Sequence, residues 1–332
     1  MSVPLRLVFL GSDPIALPLL EWLASPGGCG LADVIGVFTQ PDRAVGRGQK
    51  VQGNAIKTWA LAHGIPVLQP DKVAGEAREQ LAAFAPDVAL VMAYGHILRD
   101  DFIATPRLGT LNLHTSILPK FRGASPIQTA VACGESATGV TLMRIVRKLD
   151  AGPIAGVESV VIDRLDTASD VEARLAAACV PLVARTLPEL AAGTLRFREQ
   201  DDAAATYCRK LTKEDGVLNF TARAVDLAAR VNGLYPWPCC SAEIGGQALK
   251  FGLADAVEFP PGSMAPGPLE GQVLGADGNG LLIGTGTGVL RVRRLQRPGG
   301  RMLAAGEFLR GFPIPAGTRL ASQPMPALVT VR

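Results

Sequence analysis

One of only three histidines in the chain, His114, follows Asn112 by two positions in the stretch NLHTSILPKFRGASP, which runs from 112 to 126. The preceding LGTL reads as a strand, and side chains two apart on a strand face the same side, so this amide and this imidazole project together. The amide can donate to a developing oxyanion, and an imidazole can take or give a proton near neutral pH. A carboxylate is the natural third group. The candidate is Asp150 in VRKLDAGPI, where the apolar strand pattern GVTLMRIV gives way to a loop ending at Gly152. Brought near His114, it would orient the ring and assist proton movement. Taken singly, each residue has a plainer reading: a structural histidine at a strand end, and an aspartate that makes a turn. His63, at the end of a predicted surface helix, and His96, after an AYG loop, are weaker candidates.

The elements that must position these residues follow from periodicity. The first half alternates short apolar β-branched runs (LRLVFLG, DVIGVFT, DVALVMAYG, TLNLHTS) with helical patterns (IALPLLEWLA, AIKTWALAHG, ASPIQTAVACG). That alternation predicts βαβ units and an α/β, Rossmann-like parallel sheet, whose ligands bind beyond the carboxyl ends of the strands. The LGSDP turn after the first strand lacks G-x-G-x-x-G, which sets a nucleotide-dependent dehydrogenase aside. A helix is expected from Thr167-Ala-Ser-Asp170 to about Leu190. The polar stretch after Gly193 reads as a linker, and the Gly- and Pro-punctuated strands beyond it as a smaller C-terminal β-barrel of OB-like type. The expected division is 1–190, a linker at 191–206, and 207–332.

A chain of 332 residues with 48% apolar and 19% charged residues suits two ordinary globular domains. No apolar run approaches the roughly 20 residues needed to cross a bilayer, so a cytoplasmic location is expected, without a membrane partner. The six cysteines lack metal-ligand spacing and read as idle thiols; no metal is expected. From Tyr207 onward there are 14 Lys+Arg against 9 Asp+Glu, a net of +5, which leaves −2 for the rest of the +3 chain. Five of those arginines fall in RVRRLQRPGGR, read as a strand pair joined at Pro298-Gly299-Gly300. A solvated edge strand and a surface for polyanions are both open to this segment. The loop GVFTQPDRAVGRGQK, with Arg43, Arg47 and Lys50, is a basic finger at a strand's carboxyl end.

The segments FTQPDRAVGRGQKV, VMAYGHIL, NLHTSILPKFRGASPIQTAVACGE, TGVTLMRIVRKLDAGPI and YPWP closely resemble the methionyl-tRNA formyltransferases, with likeness extending to LQRPGGRMLAAGEFL. The resemblance implies that 1–190 is a formyltransferase catalytic domain and 207–332 a tRNA-binding one. It implies that Asn112, His114 and Asp150 match the catalytic trio, and that Ser116, Ile117, Leu118 and Pro119 match a tetrahydrofolate-contacting segment. It further implies 10-formyltetrahydrofolate as co-substrate, initiator methionyl-tRNA as partner, and tRNA contacts from Arg43, Arg47 and Lys50; a monomer is expected, with nothing in the sequence that fixes the oligomeric state. The sequence departs from the family pattern at Thr115, Ile117, Lys120-Phe121 and the initial GSDPIA, which bears on the folate pocket's finer shape. The rival readings are a formyltransferase acting on an amino sugar nucleotide, a formylfolate hydrolase, and a non-catalytic tRNA-binding protein. The last leaves the three polar residues without a use.

Overall fold

The computed structural model describes residues 3–45, 50–258 and 269–331. It divides into two compact units, Met1–Arg122 with Gly139–Val160 and Glu172–Ala205, and Gly123–Thr138 with Val161–Val171 and Thr206–Arg332. In chain order the strands of the first half are β1 (Leu5–Gly11), β2 (Ala32–Phe38), β3 (Arg43–Val45), β4 (Lys50–Gln52), β5 (Val67–Leu68), β6 (Val88–Met92), β7 (Thr110–His114), β8 (Arg122–Gly123), β9 (Ala137–Arg144) and β10 (Ile154–Val161). The helices there are α1 (Leu17–Ala24), α2 (Ala55–Ala62), α3 (Glu76–Ala83), α4 (Asp100–Ile103), α5 (Pro126–Ala132) and α6 (Ala168–Ala191).

Seven strands form the main sheet in the order β10-β9-β7-β6-β1-β2-β5. β6 is buried along its whole length and β1 at all but one position, which is why both read as unbroken apolar runs. Val8, Leu10, Phe38, Ala89, Val91 and Phe102 pack together in one cluster on this sheet. From β1 the chain builds outward through β2 to β5 and then returns to the other side for β6 and β7. The switch point therefore lies between β1 and β6, where crevices for ligands form in such sheets. There Ser12 Oγ donates to the Tyr94 carbonyl at 3.2 Å, and the Ser12 amide donates to the Ala93 carbonyl at 3.2 Å.

The sheet is mixed where the sequence predicted parallel strands. β9 runs antiparallel to β7, with His114 opposite Thr141 and Leu111 opposite Arg144. A period of two carries no strand direction, so the apolar pattern alone could not distinguish the two. The consequence matters for the site: the loop after β9 starts beside Leu111 and must fold back to reach His114.

In the second unit, α7 (Ala224–Gly233) and α8 (Ala305–Gly311) accompany β11 (Thr206–Cys208), β12 (Cys240–Ile244), β13 (Gln247–Val257), β14 (Val273–Ala276), β15 (Leu281–Gly284), β16 (Val289–Gln296), β17 (Leu303–Ala304) and β18 (Val329–Val331). The antiparallel order β12-β13-β16-β15-β14, with β17 on β16, curls into a half-barrel. Phe220, Leu227, Val231, Phe251, Ile283 and Leu295 belong to its core. The buried Asn232 amide fastens α7 to β13, donating to the Ala254 carbonyl at 2.9 Å and accepting from its amide at 2.8 Å. The expected turn at 298–300 does join paired strands, since Leu295 faces Leu303. The expected helix after Thr167 is α6, whose entry is capped by Asp170 accepting from the Thr167 amide at 2.8 Å.

Candidate active site

Asn112 and His114 sit at the carboxyl end of β7, flanked by β6 on one side and β9 on the other. Asn112 is half-buried, and among the described residues its side-chain amide makes no hydrogen bond. His114 is buried, with only 6% exposed. Its Nε2 lies 2.9 Å from the Phe121 carbonyl. A carbonyl can only accept, so Nε2 carries a hydrogen, and Nδ1 is the atom left to exchange a proton. Nδ1 faces Asp150 Oδ2 across 3.7 Å. That separation is wider than a hydrogen bond and leaves room for adjustment when a substrate enters.

The loop that carries Asp150 is tightly constrained. Asp150 itself has φ +49°, in the left-handed region, as does Phe121 at +57°. An aspartate tolerates this better than most residues. Two residues on, a Cβ at Gly152 would stand 1.9 Å from the Arg144 carbonyl oxygen, so only glycine lets the loop close against the end of β9. Gln200 donates to the Asp150 carbonyl at 2.9 Å and to the Gly152 carbonyl at 2.7 Å.

The segment 116–119 turns mostly inward. Ser116 is fully buried and its hydroxyl donates to the Lys120 carbonyl at 2.6 Å. Thr141 Oγ1 donates to the Ser116 carbonyl at 2.7 Å and accepts from the Leu118 amide at 3.2 Å. Leu118 packs with Met143 and Ile154, while Ile117 and Pro119 are half-buried. Side-chain contact with a ligand is therefore open to Ile117 and Pro119 far more than to Ser116 or Leu118.

The basic loop forms a hairpin, with Arg43 opposite Gln52 and Val45 opposite Lys50. Arg43 and Lys50 are exposed, and Arg47 lies outside the described residues. The hairpin's root is fixed by a polar network. Arg43 donates to Gln40 Oε1 at 2.8 Å, and Gln40 Nε2 donates to the Tyr94 carbonyl at 3.2 Å. Asn54 caps α2 by accepting from the Lys57 amide at 3.0 Å while donating to Thr39 Oγ1 at 2.7 Å. Asp42 accepts from Lys57 Nζ and from Gln69 Nε2, both at 2.7 Å. Arg43 thus stays close to the loop after β6: burial first, then the Arg43 charge, pushes the His96 imidazole below its usual range.

The two weaker histidine candidates are placed differently. His63 ends α2, with Nδ1 2.9 Å from the Trp59 carbonyl and its ring stacked on Trp59 at 4.4 Å. His96 Nε2 is buried without a hydrogen-bond partner among the described residues. Reasoning from sequence missed Gln200, which lies in a polar stretch with no periodicity, and the Phe121 carbonyl, which no side-chain pattern announces. Among the described residues, no group of three or more His, Cys, Asp or Glu is placed to hold a metal ion. The six cysteines are free thiols, and burial pushes Cys179 up to about 12.

Two family models match the chain, the formyl transferase domain over residues 5–187 and the formyl transferase C-terminal domain over 210–313. A methionyl-tRNA formyltransferase from Pseudomonas fluorescens is 43% identical over 305 residues, spanning 91% of this chain and 92% of the relative. This chain belongs to the methionyl-tRNA formyltransferase family. A second member, from Ralstonia nicotianae, is 38% identical and covers 97% of this chain and 100% of its own. The fold is shared more widely than the sequence. A sugar 3N-formyl transferase solved in the presence of dTDP and 5-N-formyl-THF superposes with a TM-score of 0.61 at 17% identity, covering 88% of this chain and 98% of that one. An N-formyltransferase from Helicobacter canadensis gives a TM-score of 0.62 at 16% identity, covering 87% and 99%.

Proposed function

We propose that this chain transfers the formyl group of 10-formyltetrahydrofolate to the α-amine of methionyl initiator tRNA. The observation that carries the reading is the convergence of Asn112, His114 and Asp150 at one end of β7, in a family member whose relatives match along both domains. In the reaction the amine attacks the formyl carbon, a C–N bond forms, the bond from that carbon to N10 breaks, and the amine's proton must reach N10. Asn112 donates its unengaged amide to the oxyanion, a contribution of about 10²- to 10³-fold for one such donor. His114 holds the moving proton on Nδ1, because Nε2–H is tied to Phe121. Asp150, facing that nitrogen, steadies the charged ring and guides the transfer.

The switch-point crevice, with the Ser12 hydroxyl, the Tyr94 carbonyl and Gln40 at its edge, suits a polar, flat co-substrate, and on this reading Ile117 and Pro119 of the segment 116–119 are the side chains that meet it. Arg43, Arg47 and Lys50 meet the tRNA acceptor end, and basic residues of the C-terminal part hold its phosphates. On this reading 1–190 is catalytic, 191–206 links, and 207–332 binds tRNA; the enzyme acts as a monomer in the cytoplasm without a metal. No helix among the described residues is long and apolar enough to cross a membrane.

The test is formyl transfer from 10-formyltetrahydrofolate to charged initiator tRNA, run beside a UDP-amino-sugar acceptor. Transfer to the tRNA alone is expected. Transfer to the sugar alone would keep the chemistry and overturn the acceptor.

A further inference from the structure

Four contacts close a ring around the histidine and aspartate. The Phe121 carbonyl accepts from His114 Nε2 at 2.9 Å. The next residue, Arg122, has a side chain with no solvent exposure at all. Its Nε and Nη2 donate to Gln200 Oε1 at 3.1 and 2.8 Å. The other half of the same carboxamide donates to the carbonyls of Asp150 and Gly152 at 2.9 and 2.7 Å. Asp150 then faces His114 again at 3.7 Å. The Gln200 oxygen accepts from one guanidinium while its two N–H donors meet two carbonyls, a combination that only a carboxamide offers on one planar group. Glutamate would keep the first half and lose the second.

Three further facts make the ring rigid. Phe121 and Asp150 both sit in the left-handed backbone region, which persists only where the surroundings over-determine it. Gln200 is in turn anchored by its own segment, since Arg198 and Ile154 exchange backbone hydrogen bonds of 2.7 and 2.9 Å. Asp202 adds a second tie, accepting from Arg122 Nη1 at 2.8 Å and pairing with Lys148, two residues before Asp150.

We propose that Gln200, from the stretch that reads as a linker, is a positioning residue for formyl transfer: it fixes the Asp150 loop and, through Arg122 and Phe121, the His114 ring in one geometry. The inference rests on the reading of His114 and Asp150 as the proton-handling pair. Displacing reacting groups by about 1 Å can cost about 10²-fold in rate, so loss of the clamp should appear in kcat and not in substrate binding.

The test uses full-length Gln200→Glu and Gln200→Ala with 10-formyltetrahydrofolate and charged initiator tRNA. Gln200→Glu retains the Arg122 contact and so protects the fold, but turns acceptors toward two carbonyls. The expected result is a kcat lowered about 10²-fold with both KM values within about 2-fold. The ring resonances of His114 should shift in NMR spectra, while those of His63 and His96 stay in place. Folded variants with wild-type kcat, or an unmoved His114 signal, would overturn the proposal. So would loss of the fold in both variants, which would make Gln200 a residue of stability alone. His114→Ala and Asp150→Ala run alongside separate the two readings. If they turn over normally, the catalytic pair is wrong; if they are inactive while the Gln200 variants are normal, only the clamp is wrong.

Discussion

Asp150 and Asp255 both stand largely out of solvent, their side chains 13% and 5% exposed, yet they face different partners. Asp150 opposes an imidazole across 3.7 Å. Asp255 receives Arg291 at 3.0 and 2.6 Å and Arg293 at 2.9 and 3.1 Å, each in two-pronged contact. A guanidinium keeps its proton at any pH a cell meets, whereas an imidazole exchanges one near neutrality. The first arrangement can move a proton; the second can only hold strands together. A bulge in the register of β13 and β16 lies beside Arg293 and helps to bring both arginines onto one carboxylate. Two of the five arginines in RVRRLQRPGGR are therefore engaged within the half-barrel. Arg294 and Arg297 lie over the rings of Tyr235 and Phe312, at 5.9 and 5.5 Å.

The contrast can be broken most sharply at the first carboxylate. His114→Ala and Asp150→Ala should each lower turnover at least about 10²-fold while binding of charged tRNA and the melting temperature stay near wild type. Asp255→Ala should do the reverse. It leaves two arginines beside each other without their shared anion, so urea unfolding should show a loss of about 2 kcal/mol, with kcat within about 2-fold.

Acid sharpens the same point. Burial raises the Asp255 carboxyl, but the hydrogen bonds from Arg291 and Arg293 outweigh it and bring it to about 2. A carboxyl whose folded value lies below the unfolded value of about 3.9 adds stability that is complete only above about pH 5 and fades as pH falls toward about 2. Asp255→Asn should flatten that part of a curve of unfolding free energy against pH.

Smaller effects are expected at the surface. Arg43→Ala should raise KM for charged tRNA several-fold and leave that for 10-formyltetrahydrofolate unchanged; an equal rise in both would place Arg43 at the wrong substrate. Arg301, 83% exposed and 3.4 Å from Glu307, should change stability by no more than about 0.5 kcal/mol when replaced by Ala.

Local regularities were readable from the sequence. The apolar runs and helical patterns place β1, β2, β6, β7 and α6, and a spacing of two puts Asn112 beside His114. What could not be read depends on distant pairings. The antiparallel course of β9 leaves no trace in its alternation, and so Asp150 reaches His114 by a loop that folds back, not by sharing the carboxyl edge of the sheet. Gln200 reaches the Asp150 loop across 50 residues from a polar stretch, and Asp255 meets Arg291 across 36. Neither spacing has a period. The inward turn of Ser116 and Leu118 follows from Thr141 on the neighbouring strand, which a linear reading does not place there.

The most direct measurement is single-turnover formyl transfer by Asp150→Asn with both substrates saturating. Asparagine keeps the size of the side chain and removes its charge, so binding and fold should persist while the chemical step slows at least about 10²-fold. An unchanged single-turnover rate would remove Asp150 from the proton's path and contradict the account of the site.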